Sequence, residues 1–320
     1  MANNLVKINE WLKRHMFYIV LSALLVGFIT PIQDSPFLRA IVIGSFAYMT
    51  FITALDTSFK EFLRVLKNPL VSLWILVLIH VISPLIAWVT GLALFSYNHS
   101  TQIGYLVASS TPIGVTSIIW TALTQGNVSI ALVAVTLDTL IVPVMLPFFF
   151  KIVIGHELQI DYMQMMLQLL LMITIPSILG MTLHDYSDRI VTLPVKTVAE
   201  FFSKIAFFAV IFINSALIGA DISWDISTLK IILTTMLLVT VGYFTGFLGS
   251  YVFKNRSKET TLAMIYCVGL RNIGFGMVLA LTFFPPAVAV PITMFMLFQQ
   301  PFAAVIPYIF QKFKKNGIGS

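Results

Sequence analysis

Two ionisable residues stand in the middle of long apolar stretches: Asp138 in VAVTLDTLIVP and Arg271 in VGLRNIG. An Arg or Asp at the centre of a membrane helix costs about 2.5–3.5 kcal/mol on insertion scales, so such residues are rare and mark function. The sequence predicts that the two face each other, because a buried pair that loses one partner leaves an uncompensated charge costing about 3–5 kcal/mol. The alternative is that each bonds separately to exposed backbone or to water.

Around them lie uncharged polar groups. STPIGVTS (Ser110 to Ser117) supplies Thr111, Thr116 and Ser117; VGLRNIGFG (Val268 to Gly276) supplies Asn272; MFMLFQQPFAAV supplies Gln299 and Gln300. At an interrupted helix these side chains can satisfy orphaned backbone groups or touch a ligand. Half-helix N-termini favour anions, and a guanidinium can hold a carboxylate in bidentate fashion. The candidate substrate-binding set is therefore Thr111, Thr116, Ser117, Arg271, Asn272 and Gln299. For the glutamines, hydrogen bonding between helices is an equal alternative. His80, alone in LVLIHVISP, fits an interhelical hydrogen bond, with a proton relay as the alternative. Asp56 has Lys60 at i+4, which suits a helix-end pair.

The elements that position these residues follow from composition. Of 320 residues 58% are hydrophobic and 10% charged, against about 45–50% and 25% in soluble domains. Such a chain calls for lipid as its solvent. About 20 apolar residues cross a bilayer, and ten stretches qualify: about 15–32, 37–56, 69–95, 101–124, 127–155, 160–183, 197–220, 228–253, 258–284 and 287–311. The polar, basic start MANNLVKINEWLKRH does not read as a cleaved signal, because the apolar stretch behind it opens a series of similar ones. With one cysteine, Cys267, no internal disulfide is expected.

If the N-terminus is cytoplasmic, fourteen Lys and Arg fall on the cytoplasmic side and three (Arg39, Lys151, Lys230) on the other. That bias predicts a multi-pass protein of the cell membrane with both termini inside, and Trp11, Phe17 and Tyr18 as anchors at the first interface. The net charge of +6 therefore reports orientation, and no nucleic-acid partner is expected. The fourth and ninth spans are each broken near the middle by Gly, Pro and small polar residues, about 157 residues apart. Matching interruptions predict two related halves, 1–158 and 159–320, inverted because each holds an odd number of spans. They also point to a transporter's binding site at mid-depth.

Three stretches carry a family likeness: TALDTSFKEFLRVLKNPLVSLWILVLIHVISPLIAW; PIGVTSIIWTALTQGNVSIALVAVTLDTLIVPVMLP, with the Gly126–Asn127–Val128 turn and Pro143 and Pro147; and GLRNIGFGMVLALTFFPPAVAVP. With them the chain resembles the bile acid:sodium symporter family in its bacterial branch. The resemblance implies an all-α membrane protein of ten transmembrane helices in a 5+5 inverted repeat. It implies a panel domain of spans 1, 2, 6 and 7 and a core domain of spans 3–5 and 8–10, in which the unwound fourth and ninth spans cross. The implied substrate is an organic anion, bile-acid-like or a small carboxylate, bound between the domains and moved by alternating access.

The chain departs from the sodium-coupled pattern at the ion ligands. Those members carry Asn after the Ser of the fourth-span break, where Ile118 follows Ser117; hydroxyl residues where Ala131 and Val135 align; and Glu and Gln where Cys267 and Arg271 stand, although Asn272 is kept. A thiol, apolar side chains and a fixed cation do not make a sodium site. The expectation is that Arg271, always charged, replaces the ion and that Asp138 supplies the missing carboxylate. No cofactor is expected, and the coupling options are uniport, a proton through Asp138, or sodium. The alternatives in function are a non-transporting receptor or sensor on the same scaffold and an auxin-efflux-carrier-like transporter. An enzyme is not expected, because spacings such as HExxH are missing.

Overall fold

The computed structural model describes residues 2–55, 58, 69–155, 160–186, 193–219, 225–254 and 257–315. The Asp56–Lys60 pair lies outside the described residues. The described residues fold as α1 (Ala2–Arg14), α2 (Met16–Ile29), α3 (Pro36–Ala54), α4 (Leu70–Leu94), α5 (His99–Ser110), α6 (Thr116–Leu123), α7 (Val128–Val153), α8 (Tyr162–Tyr186), α9 (Leu193–Ile218), α10 (Ile226–Gly249), α11 (Lys258–Gly269), α12 (Ile273–Phe283) and α13 (Ala289–Lys315).

Among the described residues each of the ten apolar stretches contains helix, and seven hold helices of 19 to 27 residues, long and apolar enough to cross a membrane. At 1.5 Å per residue the 25 residues of α4 reach about 37 Å, beyond the roughly 30 Å hydrocarbon core. The other three stretches depart from a full uninterrupted span: α2 has 14 residues, and the fourth and ninth are split into α5/α6 and α11/α12. The helix α1 was not apparent from the sequence, which read there only as polar and basic.

Helix starts are set by local chemistry. Ser35 accepts from Leu38 N with Pro36 following it, Asp161 accepts from Met163 N and Gln164 N, Asp225 from Thr228 N, and Ser257 from Thr260 N. Each such cap satisfies donors that the helix leaves open, at about 1 kcal/mol. Two wide π-turns, Leu78–Ile82 in α4 and Leu170–Thr174 in α8, sit just ahead of Pro84 and Pro176. A proline ring clashes with the carbonyl four residues back; the wider turn opens space there, and N–H groups reach back five residues instead, Ser83 to Leu78 and Ile175 to Leu170. The Ser83 hydroxyl adds a bond to the same Leu78 carbonyl at 2.9 Å.

The chain divides into two compact units. One comprises Met1–Asn68, Thr136–Ser223 and Gly274–Val290; in it α9 packs against α2, α3 and α1, and α8 packs against α3. Gly27 permits the α2–α9 contact, since a Cβ there would lie 2.6 Å from Ser215 Cβ and 2.8 Å from Phe212 O. The other comprises Pro69–Val135, Trp224–Ile273 and Pro291–Ser320; in it α10 packs along α11, α4 along α5, and α6 against α11. This second unit holds both helix breaks.

Candidate functional site

α5 ends at Ser110 and α6 begins at Thr116; between them Thr111 is extended, with φ −61° and ψ 151°. α11 ends at Gly269 and α12 begins at Ile273, with Leu270 extended at φ −104° and ψ 111°. The two breaks meet as a short antiparallel bridge between Ile113 and Arg271. Gly114 N donates to Leu270 O and Asn272 N donates to Pro112 O, each at 2.8 Å. Unwinding exposes backbone groups that must find partners away from water, and here each break partly satisfies the other. Gly114 suits the approach: a Cβ there would sit 3.1 Å from Arg271 O.

Arg271 is buried, 5% exposed, at this bridge. Its Nη1 donates to Thr111 O at 3.4 Å, the carbonyl just beyond the C-terminus of α5. That is the negative end of a helix dipole, where a cation is favoured. The backbone around Arg271 is clasped by one side chain: Arg271 N donates to Gln299 Oε1 at 3.1 Å, and Gln299 Nε2 donates back to Arg271 O at 3.2 Å. Tyr243 donates its hydroxyl to Gln299 O at 2.6 Å. Both amide atoms of Gln299 thus hold the second break.

The hydroxyls of the first break differ from one another. Thr111 Oγ1 donates to Ala108 O at 2.8 Å. Thr116 Oγ1 accepts from Gln300 Nε2 at 3.1 Å, and Gln300 Oε1 accepts from Trp120 Nε1 at 2.9 Å. Ser117, fully buried in the first turn of α6, has no hydrogen-bond partner for its Oγ among the described residues. Trp120 and Tyr243 were missed by the sequence reading. The available signal for Trp120 was its i+4 spacing from Thr116 on one helix face, and Gln300 does bridge the two; no comparable signal marks Tyr243.

The positions expected to stand in for sodium ligands are placed as follows. Ile118 is half-buried on α6, Ala131 and Val135 are buried on α7, Cys267 is fully buried on α11, and Asn272 is half-buried at the second break. Their side chains, apart from Asn272, bring no oxygen, so they do not fit a hard cation that takes oxygen ligands. Among the described residues no group of three or more His, Cys, Asp or Glu is arranged to hold a metal ion. Asp138 is fully buried on α7 in the first unit, whereas Arg271 belongs to the second. His80 is buried in the π-turn of α4. The turn preceding α7 is built from the Gly126–Asn127–Val128 run: Gly126 N donates to Thr121 O at 2.7 Å, Asn127 N donates to Glu259 O at 2.9 Å, and Asn127 Oδ1 accepts from Ile130 N at 3.1 Å.

Comparison with known proteins gives these features a context. Residues 40–223 match the model of the Sodium Bile acid symporter family, a stretch that includes the first break and stops short of the second. The chain is 36% identical over 270 residues to the uncharacterized protein YbaS of Bacillus subtilis (strain 168), covering 84% of this chain and 88% of the relative. It is 25% identical over 245 residues to the uncharacterized sodium-dependent transporter YocS of the same organism, covering 75% and 74%. It is 22% identical over 293 residues to the probable sodium/metabolite cotransporter BASS6, chloroplastic, of Arabidopsis thaliana, covering 86% and 68%. With its multiple apolar spans, the chain is a multi-pass membrane protein that belongs to the sodium bile acid symporter family of secondary transporters.

Proposed function

We propose that this protein carries a small organic anion, bile-acid-like or a carboxylate, across the cell membrane by alternating access, with Arg271 in the role that a sodium ion plays elsewhere in the family. The observation that carries the reading is the guanidinium: a buried, permanent cation aimed at the carbonyl that closes α5, between two broken helices. A sodium ion would seek carbonyl oxygen of the same kind, and one unit of positive charge serves the same electrostatic end. Asp138 is the carboxylate that completes the charge balance, and it offers a site for a coupled proton.

The proposed architecture is ten crossings in two inverted halves, 1–158 and 159–320, with spans 1, 2, 6 and 7 as panel and spans 3–5 and 8–10 as core. Both termini are cytoplasmic. Arg271, Ser117 and Asn272 are the polar groups offered to the substrate, Arg271 by direct grip on its carboxylate, with Thr111, Thr116 and Gln299 shaping the breaks around them. The sodium-dependent names of two relatives favour sodium coupling, while this chain's own residues favour uniport or proton coupling.

Uptake into proteoliposomes decides between them. A panel of carboxylates and sulfonates is first screened by thermal shift, since ligands of the folded state raise its apparent stability. The best ligand is then followed with and without a sodium gradient. Equal initial rates are expected. A clear sodium-dependent rate with Arg271 intact would sink the replacement of the ion by arginine while leaving anion transport in place.

A further inference from the structure

The helix α1 is amphipathic in a way that the transport reading does not use. At 100° per residue Leu5, Ile8, Trp11 and Leu12 share one face, while Lys7, Glu10, Lys13 and Arg14 occupy the opposite register. The helix packs against α9 along part of its length, with Leu5 and Leu12 half-buried. Its anchor is Asn9, buried at the edge of the apolar stripe: Asn9 Nδ2 donates to Thr197 O at 2.8 Å and Asn9 Oδ1 accepts from Lys204 Nζ at 3.0 Å. Both partners belong to α9 in the same unit.

The middle of the apolar stripe is left open. Ile8 is 43% exposed and Trp11 is 55% exposed. Trp11 stacks on His15 with ring centroids 4.5 Å apart, which stiffens the corner where α1 passes into α2. The open stripe is continuous in sequence with the exposed apolar side of α2, where Tyr18, Leu25 and Ile29 face outward. On a membrane-crossing helix that side meets lipid. The sequence of α1 holds three cations, Lys7, Lys13 and Arg14, against one acid, Glu10, a charge balance that suits an anionic surface.

We propose that α1 lies in the plane of the membrane interface as a binding element for anionic phospholipid headgroups, its Leu5–Ile8–Trp11–Leu12 stripe in the acyl boundary and its basic register toward the phosphates. Helices of this composition sink their apolar face into the headgroup boundary, and tryptophan favours that depth. The docking through Asn9 ties the element to α9, so lipid charge is felt by the unit that contains α1, α2, α3 and α9. This goes beyond the transport reading and does not depend on Arg271.

The test uses the full-length protein in phosphatidylcholine nanodiscs into which brominated phosphatidylglycerol is titrated. The fluorescence of Trp11 is isolated as the difference between wild type and Trp11→Phe. Trp11 should be quenched at low phosphatidylglycerol fractions. The fraction giving half-maximal quenching should rise about fivefold for Lys7→Gln and again for Lys7→Gln/Lys13→Gln, as each basic residue near an anionic surface strengthens binding by about that factor. Salt that shortens the screening length should weaken quenching in the wild type without any mutation. Equal quenching by brominated phosphatidylcholine and brominated phosphatidylglycerol would overturn the preference for anionic headgroups. A Trp11 signal untouched by either would place α1 outside the bilayer. Neither outcome bears on substrate transport.

Discussion

The break between α5 and α6 contains Pro112 and Gly114, whereas the break between α11 and α12 contains Leu270, Arg271 and Asn272 and neither glycine nor proline. Proline drives the residue before it out of the helical region, and Thr111 is indeed extended at ψ 151°. The first break is thus written into its own residues. The second is flanked by Gly269 and Gly274 but is held chiefly from outside: backbone N–H and C=O of Arg271 both bond to the Gln299 side chain, and its neighbours pair with Pro112 and Gly114 of the first break. One break is local and the other is tertiary, and the tertiary one carries the charge.

The largest effect should come from the charge. Replacing Arg271 by Lys keeps a cation but removes the planar fork. A lost charge-assisted hydrogen bond is worth about 1.5–3 kcal/mol, or roughly ten- to a hundredfold in half-saturating substrate concentration. Uptake kinetics at matched protein incorporation would show it. Arg271→Gln should in addition destabilise the fold by about 3–5 kcal/mol, with Asp138→Asn in the same chain restoring most of that if the two charges balance. Thermal unfolding in detergent that is worse for the double variant than for either single one would dismiss Asp138 as the counter-charge.

Next in size is Gln299→Ala. It leaves the buried N–H of Arg271 without its partner, while Arg271 O keeps the bond from Ile273 N at 3.0 Å, at about 1–3 kcal/mol in total. Because only the second break is held this way, hydrogen exchange should rise at Leu270–Asn272 more than at Thr111–Val115. Equal loosening of both would mean that the breaks act as one element and that the contrast between local and tertiary origin is wrong. Gly114→Ala probes the reverse direction. Its Cβ would lie 3.1 Å from Arg271 O and 3.2 Å from Arg271 C, and backbone cannot swing aside as a side-chain tip can. A cost of about 1–3 kcal/mol is expected, read as a lower unfolding midpoint.

The same contrast explains how far the sequence could be read. The apolar stretches, the family and both interruptions were legible because composition, length and the Gly, Pro and small polar residues at the breaks are local. The position of Arg271 against the end of α5 was not, since nothing near Thr111 in the chain announces a guanidinium 160 residues away. Gln299 and Gln300 read as a polar pair with two equal roles; their partners, Arg271 backbone for one and Thr116 with Trp120 for the other, are set by how α13 packs. The helix α1 went unread because its 13 residues are too polar to stand out among apolar spans, and the π-turns because they are a backbone response to Pro84 and Pro176 rather than a residue preference.

Ser117→Ala should have the smallest effect on the fold and is the sharpest probe of the first break. Every other hydroxyl there has a partner: Thr111 bonds to Ala108 O, and Thr116 to Gln300. The Ser117 hydroxyl is buried with no partner among the described residues, so its desolvation goes uncompensated in the folded state. Deleting an unsatisfied polar atom is close to neutral or stabilising, within about 1 kcal/mol. A structural hydroxyl would behave in the opposite way, lowering the unfolding midpoint when removed. If Ser117 instead completes its hydrogen bonding with substrate, the alanine variant should keep or gain stability while its half-saturating concentration rises about fivefold, the worth of one neutral hydrogen bond near 1 kcal/mol. Unchanged kinetics together with unchanged stability would remove Ser117 from the substrate contacts and leave the anion to Arg271 and Asn272.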